Sequence, residues 1–513
     1  MRSMRFILGV LVGLVALALA AALFVYWFDF ATGVAAASGL GALGYVFLWL
    51  AFGANLLLWT VVGLLRLGED SVRSAASRRR VARAGRAQVE PELERVLVGA
   101  GAGSGPLPDT VEDGPEPTGN PVATTDADDG PADPIDPEDL SIAVVIPAHN
   151  EEPVIEAAIA SALRLFARWD VYVVSDASAD TTAEIAAGTG VNVLELLNNR
   201  GKAGAIEAVV EEFGLTDHYD GVLILDADTE LDDRYVEGAR RQLAEPDVAA
   251  VAGFVVSEWK PDERSFVGRL ISAYRDRLYF MLQYLMRFGQ TWRHANVSFI
   301  VPGFASVYRT SALREIDINP RGLVIEDFNM TFEVHHKRLG RVSMNPDTKA
   351  YSQDPFTLRD YYRQVSRWTL GFWQTIRRHK LWPSSFCAAL VLYVFEVVVV
   401  SLVLLATVLA GAFVALGTFG GDAVMALPFF EDGFTAVSAF LPLSAVLIGL
   451  FVPDYMLTCL MAMVRRRPSY LVYGLFFFPV RIVDAFLALR TIPKAWTARS
   501  DGRWSSPVRA KQG

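Results

Sequence analysis

Gly221-Val-Leu-Ile-Leu-Asp-Ala-Asp228 is the stretch on which the fold turns. An unbroken short apolar run reads as a buried strand, and two carboxylates stand where it ends. Upstream, three similar runs alternate with segments of helical spacing. Ile142–Ile146, closed by Pro147, Val171–Val174 and Val191–Leu196 read as strands. Residues 151–168, 180–188 and about 203–213 read as helices. Strands alternating with helices imply an α/β fold with a parallel sheet. Ligands of such sheets gather at the carboxyl ends of the strands. All four ends here carry polar groups: Asn150 and Glu151, then Asp176, then Asn198 and Lys202, then Asp226 and Asp228. Four loaded ends are a far more specific signal than one.

The residue types suggest their chemistry. Carboxylates at positions 226 and 228 can reach a hard divalent cation, Mg²⁺ or Mn²⁺, that bridges diphosphate oxygens. A lone Asp-x-Asp is more often a solvated turn; the loaded sheet edge is what favours a ligand. Asp176, in Ser-Asp-Ala-Ser-Ala-Asp, can accept from a nucleobase edge or cap the helix at 180–188, a task that suits Asp180. Lys202 after Gly201 suits a phosphate, although the glycine spacing of a Walker loop is absent. Glu326–Asp327 follows the apolar Leu323–Ile325 and precedes a helix at 328–338. That pair can supply a general base or merely favour a helix N-terminus. In Gln364-Val-Ser-Arg367-Trp368, Arg367 offers a planar fork for phosphate and Trp368 a face on which a sugar ring can stack. An amphipathic helix lying at a membrane interface has the same composition, as does the stretch 265–288.

The chain has 513 residues, is 52% hydrophobic and has a formal net charge of −10. Eleven acidic residues and no Lys or Arg fall in 101–140. Outside that segment the charges nearly balance, so no general basic surface for nucleic acid exists. Rich in Pro, Gly, Asp and Glu, 101–140 reads as a disordered linker. The two cysteines, Cys387 and Cys459, support neither a disulfide framework nor a zinc site.

Apolar runs at 6–28 and about 39–65 are each long enough to cross a bilayer. Ala18-Leu19-Ala20 resembles a cleavage site, but the first run continues to Phe28, which favours an anchor. Seven arginines from Arg66 to Arg86 follow the second run, whereas 29–38 holds only Asp29. By the positive-inside rule the chain after 66 is cytoplasmic. Runs at about 387–417 and 437–463 are joined by a connection bearing Asp422, Glu431 and Asp432, and the second is stopped by Arg465, Arg466 and Arg467. The last run, about 470–489, has Arg481 and Asp484 in its middle and a basic tail behind it. It reads as re-entrant or interfacial, keeping that tail inside.

The order of these motifs resembles family 2 glycosyltransferases of the processive, membrane-embedded kind: cellulose, chitin, hyaluronan and poly-N-acetylglucosamine synthases. The match runs from Ile142 to about Trp373 and includes Gly303 to Arg309; the tail from Asp501 to Pro507 looks like the ending of poly-N-acetylglucosamine synthases. Ser175, Ala177 and Ile325 depart from the usual residues at their positions, and the acidic linker is not part of the pattern. The resemblance implies a GT-A-like, Rossmann-like mixed sheet in a cytoplasmic domain embedded between transmembrane α-helices of a multi-pass plasma-membrane protein. It divides the chain into 1–66 (two membrane helices), 67–140 (basic segment and linker), 141–380 (transferase domain) and 381–513 (membrane or re-entrant helices and tail).

It further implies inverting, metal-dependent transfer from a nucleotide-sugar, expected to be a UDP-sugar, to a growing polysaccharide that crosses the bilayer. Pro147, His149, Glu151, Asp176, Lys202, Asp226 and Arg367 would bind the donor, and Asp226 with Asp228 the metal. Asp327, with Glu326, would be catalytic, and Gln364 and Trp368 would hold the glycan acceptor. An accessory membrane subunit is compatible with this picture. The competing expectations are a non-processive transferase acting on a lipid acceptor and an inactive membrane scaffold.

Overall fold

The computed structural model describes residues 53–75 and 136–498, together with scattered helical positions between 13 and 33. The chain divides into two compact units, Leu64–Pro134 and the remainder. In the first of these the described residues, 64–75, are helical, with i,i+4 pairs Arg66–Asp70 at 3.6 Å and Arg73–Glu69 at 2.7 Å. Most of the apolar runs at 6–28 and 39–65, and nearly all of the acidic linker, lie outside the described residues.

The larger unit is built on two sheets. Its strands are β1 (Ile142–Ala148), β2 (Val171–Asp176), β3 (Asn192–Leu196), β4 (Gly221–Leu225), β5 (Thr229–Leu231), β6 (Val248–Val251), β7 (Phe254–Ser257), β8 (Ala305–Arg309), β9 (Arg341–Ser343) and β10 (Lys349–Ser352). The main sheet has the order β3-β2-β1-β4-β8-β6-β9, and a smaller one the order β5-β10-β7. β1 to β4 are mutually parallel. β8 runs antiparallel to both β4 and β6, which makes the sheet mixed.

Period-2 alternation explains the layers. Val144 and Ile146 of β1 pack with Ile155 and Ile159 and with Tyr235 and Leu243 on one face. Ala143 and Val145 pack with Ile206 and Val209 and with Met330 and Val334 on the other. β1, β2 and β4 are therefore buried on both faces, as their continuous apolar runs require. Strand and helix ends differ from the sequence expectation by a few residues, β1 reaching Ala148 and β2 reaching Asp176. The domain also starts earlier than 141: Asp136 caps a 3-10 turn at Pro137–Asp139, and Leu140 enters the core.

The reversal at β8 completes the loaded edge. Because β8 is antiparallel, its first residue, Ala305, pairs with the last residue of β4, Leu225. The loop that leads into β8 is thereby brought to the carboxyl ends of the parallel strands, where the Asp226 N–H donates to the Phe304 carbonyl at 2.8 Å.

Helices complete the unit. Phe266–Phe280 continues through a π-helical stretch, Met281–Arg287, into Phe288–Gln290. Asp327–His336 and Leu358–His379 come next. Ser385–Phe419 is long and apolar enough to cross a membrane, alone in that respect among the described residues. The run expected at 437–463 is two helices, Phe430–Phe440 and Leu443–Val464, broken at Leu441–Pro442. The final run is also two, Ser469–Gly474 and Phe477–Thr497, and extends beyond 489. Its mid-run charges have protein partners: Arg481 meets Asp454 at 2.9 Å, and Asp484 accepts from Tyr274 and Tyr361, each at 2.7 Å.

Candidate active site

Lys202 draws the two acidic motifs together. Its helix, Gly201–Glu212, begins where Asp176 at the end of β2 accepts from the Arg200 and Gly201 N–H groups at 2.7 and 2.8 Å. This fixes the direction in which Lys202 leaves the backbone. Its ammonium sits 2.6 Å from Asp226 and 3.0 Å from Glu326, and donates to the Gly303 carbonyl at 2.8 Å. Motifs about one hundred residues apart thus share one cation. Burial works against the Lys202 charge, but Asp226 and Glu326 outweigh it and hold its pKa above the ordinary value.

The acids respond differently. Asp226 is raised by burial and by the nearby Asp228 and Glu326, against Lys202. Glu326 is opposed by burial, but Lys202, with help from Arg367, keeps it low and ionised. Asp327 starts its helix with Oδ1 accepting from the Phe328 N–H at 2.7 Å. Burial and the Glu326 charge push it up to about 7. Two adjacent carboxyls with pKa values driven apart are an arrangement suited to acid–base work. Gly303 is part of the packing: a Cβ there would lie 3.1 Å from the Lys202 Nζ, 3.2 Å from Glu326 and 3.3 Å from Asp327.

Lys202, Asp226, Asp228, Glu326 and Asp327 border one cavity of about 880 Å³. Glu151, Gln364, Arg367 and Trp368 border it too. So do Tyr393, Glu396, Ser401 and Leu404 of the membrane-length helix. Pro147, His149 and Asp176 do not border it. Pro147 is paired within the sheet to Val174. His149 Nδ1 is 2.6 Å from the Asp176 carbonyl, and Asp176 is fully buried beneath that loop with both carboxylate oxygens taken by backbone amides. Pro147 lies in β1, His149 directly follows it and Asp176 ends β2, and the helix whose first amides Asp176 meets is the one starting at Gly201. Asp180 accepts from the Thr182 N–H at 3.1 Å, at the start of the helix Thr182–Gly188, whose N-cap residue is Thr181 rather than Asp180.

Sequence reasoning missed Arg275. Its guanidinium pairs with Asp354 at 3.1 Å, donates to Gln364, and lies 4.7 Å from the centre of the Trp368 ring. It braces the Gln-x-x-Arg-Trp helix and itself borders the cavity. The basic and aromatic character of 265–288 is the only local hint.

Asp226 and Asp228 fit a hard divalent cation. Lys202 pairs with Asp226 and Glu326, and Asp228 borders the same cavity two residues from Asp226. Among the described residues no three His, Cys, Asp or Glu side chains form a complete ligand set. A Mg²⁺-type ion needs only one or two carboxylates where substrate phosphates complete its shell.

Solved structures similar to this chain are distant. The mannosyltransferase PcManGT from Pyrobaculum calidifontis, in complex with GDP-Man and Mn²⁺, is 19% identical, with 62% of this chain and 89% of that chain covered and a TM-score of 0.40. S. aureus TarS 1-349 in complex with UDP-GlcNAc is 14% identical, with 71% and 95% covered and a TM-score of 0.33. The glucosyl-3-phosphoglycerate synthase from Mycobacterium tuberculosis is 16% identical, with 48% and 81% covered and a TM-score of 0.31. No curated protein matches. Residues 221–452, which contain both acidic motifs, Lys202's partners and the Gln-x-x-Arg-Trp helix, match the model of glycosyl transferase family group 2, and the chain is a glycosyltransferase.

Proposed function

We propose that the enzyme transfers a sugar from a nucleotide-sugar, with inversion, to a growing polysaccharide, and that the product leaves along the helices behind the site. The cavity carries this reading: Asp226, Asp228, Asp327 and Trp368 border it together with Ser401 and Leu404 of the membrane-length helix. A site that only dropped one sugar onto a small acceptor has no need of a border on that helix.

Each side chain then has a task. Asp327, poised near neutrality, takes the proton from the acceptor hydroxyl as its oxygen bonds to the anomeric carbon. The bond from that carbon to the diphosphate breaks on the opposite face, and the electron pair stays with the diphosphate. Lys202 and Arg367 meet the charge that develops there. Glu326, held ionised, keeps Lys202 aimed at the cleft. Trp368, braced by Arg275, supplies the face on which the acceptor sugar stacks, and Gln364 sits one turn earlier. Asp226 and Asp228 would hold a divalent cation, which when bound neutralises diphosphate oxygens.

Product length from radiolabelled nucleotide-sugar, with purified full-length protein and Mg²⁺ or Mn²⁺, tests the reading. Polymer is expected. A single added sugar would favour transfer to a lipid acceptor, and absence of turnover with every donor would leave only the scaffold.

A further inference from the structure

The proposed transfer uses one wall of the cavity and leaves another unassigned. Where the π-helical stretch Met281–Arg287 passes into Phe288–Gln290, Arg287 and Gln290 both border the cavity. Three residues apart, they are neighbours on the helix surface. Gln290 is only 1% exposed, and neither its amide oxygen nor its amide nitrogen has a hydrogen-bond partner among the described residues. Native proteins rarely leave a dry carboxamide unpaired, and such a group asks for a ligand or a functional reason. The Arg287 guanidinium has no ion-pair or hydrogen-bond partner among the described residues either. Burial pulls its pKa down to about 10, with Tyr393 and Asp327 as its nearest electrostatic support.

The backbone that carries the pair is closely packed. Gly289, between them, is pressed against the helix at 54–75: a Cβ there would lie 2.3 Å from the Trp59 carbonyl oxygen. π-helical turns of this kind recur at functional sites.

We propose that Arg287 and Gln290 form a subsite for an uncharged acceptor saccharide, binding the hydroxyls of the sugar unit that lies beyond the one reacting at Asp327. A carboxamide needs one donor and one acceptor, and a sugar hydroxyl is both. A guanidinium fork spans two adjacent hydroxyls in the same way. The cavity is bordered by arginines as well as by Asp327 and Glu396, so neither sign of charge is selected there, and the neutral carboxamide of Gln290, with its free donor and acceptor, matches a neutral polyol. The subsite rests on the reading that the acceptor is a glycan.

The test uses full-length protein in detergent with Gln290→Leu, Arg287→Met and the conservative Arg287→Lys and Gln290→Asn. Cellotetraose and chitotetraose serve as probes, titrated first without donor and then as acceptors in steady-state turnover. At least one tetraose should bind the unaltered protein. Gln290→Leu and Arg287→Met should weaken that binding, and raise the acceptor KM, about tenfold or more while the donor KM stays put. The conservative variants should recover part of the loss. If neither tetraose binds the unaltered protein, the subsite is wrong. The same holds if the variants bind as well as the parent, or if donor and acceptor KM move together as a folding defect would make them. If the tetraose binds, the variants lose it, and no nucleotide-sugar is consumed, the subsite stands and the proposed transfer chemistry falls.

Discussion

Burial and the neighbouring Glu326 push the Asp327 carboxyl up to about 7, with Lys202 pulling the other way. The sign of its pH dependence is fixed by that shift. Below pH 7 Asp327 holds its proton and cannot accept another, so kcat/KM should fall as pH drops through about 7 and level off above it. Asp327→Asn should cost about a hundredfold or more in kcat, and what activity remains should lose the limb near 7. An Asp327→Asn protein with unchanged turnover and the same pH limb would remove Asp327 from the base role. Stability should move oppositely. A carboxyl raised in the fold favours folding while it is neutral and loses that advantage as pH rises through its folded pKa. The thermal midpoint of Asp327→Asn should therefore exceed that of the parent at about pH 8, with the gap closing toward about pH 4. Lys202 makes the complementary case. Lys202→Met leaves Asp226 and Glu326 facing each other without their cation, and breaking pairs that are only partly buried costs roughly 1–3 kcal/mol. Chemical unfolding should show a loss of that order, partly recovered by adding Glu326→Gln. No recovery in the double variant would mean that Lys202 acts through packing rather than charge.

At the scale of elements, Arg275 ties Phe266–Phe280 to Leu358–His379 by pairing with Asp354 and touching Gln364 and Trp368. Burial drives the Asp354 carboxyl up to about 6 even with Arg275 and Arg264 beside it. Arg275→Met should destabilise the fold by about 3–5 kcal/mol, the cost of leaving a buried charge unpaired. Arg275→Met with Asp354→Leu should be less damaging than the single change, and a double-mutant cycle in urea measures the difference. Additive losses would show that the pair is uncoupled. This brace also marks where sequence reading stops. β1 to β4 and the polar residues at their ends are legible, because a buried parallel strand writes itself as a continuous apolar run and the loaded end comes directly after it. β5 to β10 are not: they are three to five residues long, and β8 takes its place between β4 and β6 only through pairings that span many residues. The acidic motifs can be picked out one by one. That Lys202 joins them cannot, since the contact depends on β8 running backwards to bring Gly303 to the same edge.

For the whole molecule the open relation is between the site and the bilayer, and the final helix bears on it. Phe477–Thr497 lies alongside Leu358–His379: Trp373 Nε1 donates to the Ala488 carbonyl at 3.0 Å, Tyr361 donates to Asp484 at 2.7 Å, and Gln374 Nε2 donates to the Ala498 carbonyl at 3.3 Å. A helix bonded along its length to one that carries Gln364, Arg367 and Trp368 lies at the same level as the catalytic cleft. The partners of Arg481 and Asp484 agree, since both charges are met by protein rather than left to lipid. Ser385–Phe419, by contrast, has the length and composition to cross. We propose that the connection after Phe419 lies outside and the end of the last helix inside. Both native cysteines are buried, so single cysteines at exposed Asp422 and Thr497 can be read against a quiet background. In intact cells a membrane-impermeant maleimide should label Asp422→Cys, and should label Thr497→Cys only after permeabilisation. Labelling of Thr497→Cys from outside would make Phe477–Thr497 a crossing helix, and an unreactive Asp422→Cys would take the crossing role away from Ser385–Phe419 and, with it, the exit path assigned to the cavity.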